Sequence, residues 1–310
     1  MDRDRFKEFI AFLKGRVELK SEELLEKDFC ISALLRRLTS KEYAFKGGTC
    51  LSKVYLNYHR ISEDIDFTFI DQRSFENKTM KQVRRTCSEK ITAFGRILDA
   101  VSKEYGFDFI PEKSNKRYVE IGGGSKIVTF KIWYRSVFTG AESFIKVQIS
   151  FLEVMKFPVA EKTVSPLIDA DVFASADRTY FHDFLDIYRP LKCPIYDLRE
   201  IASEKIRALL TRRGIKTRDI VDLYFIVKMH KIYLGTLKEA CIEKVNFAIR
   251  NYEKYRKNIS ARPELPEKNL FLEEVSHLML AEIDRKDFDA FTEKLFGFLK
   301  EIKAAVLPKQ

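Results

Sequence analysis

Apolar residues recurring every three to four positions mark the first forty residues as two helices. Phe6, Phe9, Ile10 and Leu13 share one face, and Ile31, Leu34, Leu35 and Leu38 share another. Ser21 is placed to cap the second helix, and Glu22 and Glu23 suit the positive end of its dipole. The residue three places on is Leu24, so no capping box forms there. The period then shortens. Residues 42–46 read as an extended stretch stopped by Gly47 and Gly48, residues 49–58 as helix-like, and residues 65–70 as an apolar strand. Strand, glycine turn, helix, strand is a compact unit that sets the turn beside the second strand.

Residues 79–105 predict one long helix, with Gly95 as its candidate break. Three strands follow at 117–121, 126–134 and 143–151, each alternating or rich in β-branched and aromatic residues. The glycines at 122–124 suit a hairpin turn between the first two. They are a poor phosphate loop, because period-two residues follow them instead of a helix. Residues 157–194 hold four prolines and read as short strands and loops. From residue 197 the pattern is helical almost to the end, with a break at 261–267 around Pro263 and Pro266. The expected organisation is an α+β domain over residues 1–195, opened by the helices of 1–40, and a helical domain over 196–310.

Composition narrows this picture. With 26 Phe and 13 Tyr in 310 residues, the chain has the apolar groups a packed core needs. No run approaches the ~18 apolar residues of a membrane span, and the first residues lack a signal-peptide pattern. Five scattered cysteines and four histidines suit a reduced, cytoplasmic protein better than a disulfide framework or a zinc centre. Lys and Arg outnumber Asp and Glu by 56 to 46, which favours a phosphate-rich partner.

The chemistry concentrates in KGGTCLSKVYLNYHRISEDIDFTFI, residues 46–70. Alternate strand residues share a face, so Asp64 and Asp66 point together while Ile65 and Phe67 point away. Two adjacent carboxylates repel unless a cation neutralises them, and Mg²⁺ accepts one or two carboxylates plus substrate phosphates. Gly47 and Gly48 let the backbone approach an anion closely, and Lys53 stands one turn further on, where its ammonium could meet a triphosphate. A strand carrying two solvated acids is the plain alternative. A second charged stretch, residues 205–218, holds six basic residues and no acidic one, followed by Asp219 and Asp222 on one helix face. A solvated helix face with a local ion pair would explain it as well.

KGGTCLSKVY with RISEDIDF resembles the AbiEii/AbiGii toxin family, MenT-like toxins included, within the Pol β-type nucleotidyltransferase superfamily. Residues 198–226 resemble that family's EK…R…RDxxDLY block through Glu204, Lys205, Arg213, Arg218, Asp219 and Asp222. The resemblance implies a Pol β-like domain with a mixed sheet flanked by helices, and a helical domain that contributes to the active cleft. It implies an enzyme moving a nucleoside monophosphate from an NTP to an acceptor hydroxyl with Mg²⁺ or Mn²⁺. The implied acceptor is the tRNA 3′ end, and the implied setting is phage defence by a toxin with a cognate antitoxin protein. The catalytic residues would be Asp64, Asp66, Lys205 and Asp219, with the metal on Asp64 and Asp66. Gly47, Gly48, Thr49, Lys53 and Arg213 would bind the nucleotide.

One departure stands out. The strand FIKVQISF offers Gln148 where the superfamily usually has a third carboxylate, and Glu153 has the parity of the apolar face unless a bulge intervenes. Transfer to a protein hydroxyl, or a silent RNA- or protein-binding module, are the alternatives this leaves open. His59 reads as a surface loop histidine. Tyr252 and Tyr255, interleaved with Arg250, Lys254, Arg256 and Lys257, read as a solvated amphipathic helix or as a stacking surface for RNA bases.

Overall fold

The computed structural model describes residues 2–17, 19, 21–261 and 272–307. The break predicted at 261–267 lies outside them except for Ala261. Two compact units form: Met1–Glu153 with Val159–Ile195, and Val154–Pro158 with Tyr196–Gln310.

The first unit opens with α1 (Arg3–Lys14) and α2 (Glu22–Leu38), both burying the predicted faces. Ser21 Oγ accepts the Leu24 N–H at 3.4 Å, as an N-cap should. β1 (Tyr43–Lys46) runs into a short helix, α3 (Gly47–Cys50), which continues as a π-helical turn over Leu51–Tyr55. The helix-like pattern predicted to residue 58 stops earlier, because Asn57 and Tyr58 turn left-handed at φ 42° and 56°. β2 (Asp64–Phe69) follows, then α4 (Met80–Tyr105), which runs unbroken through Gly95. A side chain at Gly95 would crowd Pro111 Cβ at 3.3 Å, so that glycine serves packing and not a kink. Thr79 and Gln82 close a capping box at the start of α4.

β3 (Val119–Gly122), β4 (Ile127–Arg135) and β5 (Glu142–Ser150) occupy the three predicted strand regions, and residues 123–126 turn the first hairpin. β6 (Ala160–Val164), the short helices α5 (Ser175–Tyr180) and α6 (His182–Ile187), and β7 (Leu191–Ile195) complete the unit. The two short helices were not legible among the prolines. Phe181 between them and Phe184 on α6 meet Phe6, Phe9 and Phe29 in one aromatic cluster that fastens the N-terminal helices.

The sheet is mixed and seven-stranded, in the order β3-β4-β5-β2-β1-β7-β6. β2 lies between β5, to which it is parallel, and β1, to which it is antiparallel. Tyr43, Phe67 and Phe130 pack on Phe94 of α4, which covers one face of the sheet. By strand parity Asp64 and Asp66 occupy the other.

The second unit is helical: α7 (Leu198–Thr211), α8 (Thr217–His230), α9 (Lys238–Asn251), α10 (Glu253–Ala261), α11 (Glu273–Ser276) and α12 (Arg285–Val306). α7 packs on α8, α9 and α10, and α12 on α8 and α9. Residues 154–158 join this unit through a buried pair on α7 and α9. Glu200 Oε2 accepts the Lys156 and Phe157 N–H groups at 2.8 Å each, and Lys244, ion-paired with Glu200, donates to the Val154 carbonyl at 2.7 Å. Among the described residues no helix is long and apolar enough to cross a membrane.

Candidate active site

The glycine turn and the acid strand touch. Gly47 has φ +78°, and a Cβ built on it would lie 2.2 Å from Asp66 Oδ2. Only glycine leaves the Asp66 carboxylate its place. A Cβ on Gly48 would lie 2.8 Å from both Arg60 Nη2 and Ser62 Oγ. Thr49 donates its buried hydroxyl to the Asp64 carbonyl, tying the turn to the strand it faces. Asp64 and Asp66 themselves are half-buried, on one face of β2. Gly47→Ala should therefore lose most transfer activity and about 1–2 kcal/mol of stability, the usual cost of a left-handed L-residue. Gly122→Ala, with open space around it, is the neutral control. A transfer assay and a thermal melt on both variants check this.

Neighbouring strands bring further groups to the same face. Asp66 stands opposite Lys46 on β1 and opposite Gln148 on β5. The neutral amide thus sits at the third position, as the alternation predicted. Glu153 reaches this neighbourhood by a route the alternation did not offer. β5 ends at Ser150 without a bulge, the chain bends, and the Glu153 carboxylate meets Lys46 Nζ at 2.8 Å. Gln72 aims it: its Oε1 accepts the Glu153 N–H at 2.9 Å, while its Nε2 donates to the carbonyls of Phe69 at 2.6 Å and Phe151 at 3.0 Å.

Lys53 is placed differently from its predicted role. Its ammonium lies in the interior, 2.7 Å from Asp28 Oδ1 and within hydrogen-bond reach of Ser32 and Tyr58. Both partners of the ion pair are 2% exposed, and burial lowers the lysine pKa. This ammonium holds α2 to the turn after α3; a triphosphate contact is corrected to a structural one. His59 is likewise buried, near Ser52 Oγ, and not a surface residue.

In the helical unit, Lys205 Nζ bridges Asp219 Oδ1 at 3.1 Å and Asp222 Oδ2 at 2.5 Å, joining α7 to α8. Arg212 holds the other Asp219 oxygen at 2.6 Å. Arg213, the predicted phosphate ligand, is exposed beside it. Burial would raise the Asp219 pKa, but Lys205 and Arg212 outweigh it and hold the carboxyl below its usual value. Lys46, Arg60, Ser62 and Arg212 escaped the sequence reading. For Lys46 and Arg60 the available signal was position: Lys46 immediately precedes the Gly-Gly pair, and Arg60 stands four residues before Asp64.

Among the described residues no group of three or more His, Cys, Asp or Glu side chains gathers to hold a metal. What the chain offers is two hard carboxylates on one strand face, with a glycine cradle keeping one of them in position. That donor set fits a Mg²⁺ ion whose remaining ligands are substrate phosphates and water.

A glycine turn against a paired-acid strand, within a mixed sheet, is the arrangement of a nucleotide-transferring enzyme. The chain belongs to the family described as nucleotidyl transferase AbiEii toxin, type IV TA system, whose model matches residues 31–307. It is a nucleotidyltransferase. Two solved structures from Helicobacter pylori are similar to it, JHP933 and a second described as a candidate nucleotidyltransferase. Each is 16% identical over 92% of this chain, covering 94% and 97% of its own, with a TM-score of 0.43 in both cases. No curated protein matches the chain.

Proposed function

We propose that the chain transfers a nucleoside monophosphate from an NTP to the 3′ hydroxyl of a tRNA, and acts as a toxin countered by an antitoxin protein. The observation that carries the transfer site is the fit of Asp66 against Gly47, which keeps both strand acids on one face beside a backbone stripped of side chains. The acceptor oxygen bonds to the α-phosphorus, the bond from that phosphorus to the bridging oxygen breaks, and pyrophosphate leaves with the bond's electrons. The hydroxyl proton passes to a base. Lys205 and Asp219, which the family resemblance puts forward as catalytic, pair with each other at 3.1 Å and would act as fixed charges. Asp64 and Asp66 would hold Mg²⁺, which when bound neutralises and orients the triphosphate. The backbone of Gly47, Gly48 and Thr49 would lie along the phosphates.

RNA as acceptor is supported by charge. Residues 199–219 carry seven basic and three acidic side chains in the block that also holds Lys205 and Asp219. The test is incubation with purified tRNA, Mg²⁺ and each NTP labelled at the α-phosphate. Label should appear in tRNA and shift it by one or more nucleotides on a gel. Label recovered only in protein would replace the RNA acceptor with a protein hydroxyl.

A further inference from the structure

We propose that Lys46 and Glu153 form a counter-ion couple that sets how strongly the Asp64–Asp66 strand takes a divalent cation. The inference rests on the reading of that strand as the metal-holding element, and it concerns two residues outside the catalytic and nucleotide-binding set named above. Lys46 is the direct antiparallel partner of Asp66, so the two Cβ atoms stand roughly 5 Å apart on one face. The Lys46 side chain is 6% exposed, which leaves little water to screen its charge. A fixed ammonium there opposes the arrival of a second cation at Asp66. Glu153 offsets it. Its carboxylate takes a share of the ammonium at 2.8 Å, and Gln72, bonded to the Phe69 and Phe151 carbonyls, fixes the backbone from which that carboxylate reaches.

The couple is neutral as a whole and strongly directional in its parts. Without Glu153 the ammonium loses its 2.8 Å carboxylate, and its charge beside Asp66 competes more strongly with the metal. Without Lys46, the Asp66 neighbourhood gains the uncompensated negative charge of Glu153 and draws the metal harder. The two substitutions therefore move divalent affinity in opposite directions, whereas a purely structural ion pair would weaken the site from either side.

The experiment titrates the full-length protein with Mn²⁺ and reads the free ion by electron paramagnetic resonance. Asp64→Ala should remove the binding. Lys46→Met should tighten it by about tenfold, Glu153→Gln should weaken it by about tenfold, and the double variant should return near wild type. Lys46→Gln serves where Lys46→Met fails to fold, as judged by circular dichroism. If Lys46 and Glu153 variants shift the affinity in the same direction, or both stay within about twofold of wild type while Asp64→Ala abolishes binding, the couple is overturned and the site stands. If wild type shows no Mn²⁺ binding that Asp64→Ala removes, the site reading fails, and the couple with it.

Discussion

Asp66→Asn is expected to lower nucleotidyl transfer by about a thousandfold with the fold intact, comparable to the loss of a preorganised charge in other active sites. The substitution is nearly isosteric, and the space against Gly47 that admits the carboxylate also admits the amide. Lys46 and Gln148, the cross-strand neighbours, keep their places. What disappears is the negative charge proposed to hold the triphosphate's cation. Steady-state kinetics with saturating NTP, read beside an unchanged circular-dichroism spectrum, gives the answer. A loss of less than about tenfold would place the essential charge elsewhere.

Lys205→Met is expected to destabilise the helical unit by about 3–5 kcal/mol, the usual result of leaving buried carboxylates without their cation. Asp222 is 0% exposed and Asp219 7%, and the same ammonium serves both. Arg212 still grips Asp219, while fully buried Asp222 loses its 2.5 Å ammonium contact. Lys205→Met/Asp222→Asn should recover much of the loss in urea unfolding, which separates the buried-charge cost from lost packing. The cluster also gives the unit an acid limb. The folded-state pKa of Asp219 lies below its ordinary 3.8, so its contribution is present above that pH and fades as pH falls through the folded value. Asp219→Asn should flatten that limb.

The fold was largely legible because its signals are local. Period-four and period-two alternation located α1, α2, α4 and β1 to β5, and the glycines of 122–124 closed the hairpin. Helices α5 and α6 were not, since each is six residues long and is held by Phe181 and Phe184 packing on distant Phe6 and Phe9. In the site, the shared face of Asp64 and Asp66 follows from spacing alone, whereas the room that Gly47 leaves for the Asp66 carboxylate does not. Lys53 defeated spacing, because its partner Asp28 lies 25 residues upstream on another helix and draws the ammonium inward. Glu153 defeated it differently: parity holds only while a strand lasts, and β5 ends three residues earlier. Arg212 and Arg213 are adjacent and chemically alike, so only the end of α7 decides which one turns to Asp219.

The strand order carries a consequence for synthesis. β1 bears the lysine that precedes the glycine turn, and its outer edge is covered only by β7, about 145 residues later in the chain. At the ribosome's pace of roughly 5–20 residues per second, that edge waits about seven to thirty seconds for its partner. During this interval β2 and β5 can already pair, so the acid strand assembles beside an unprotected row of backbone donors and acceptors. A ribosome stalled before residue 191 would hold the protein with that edge open to pairing with another chain.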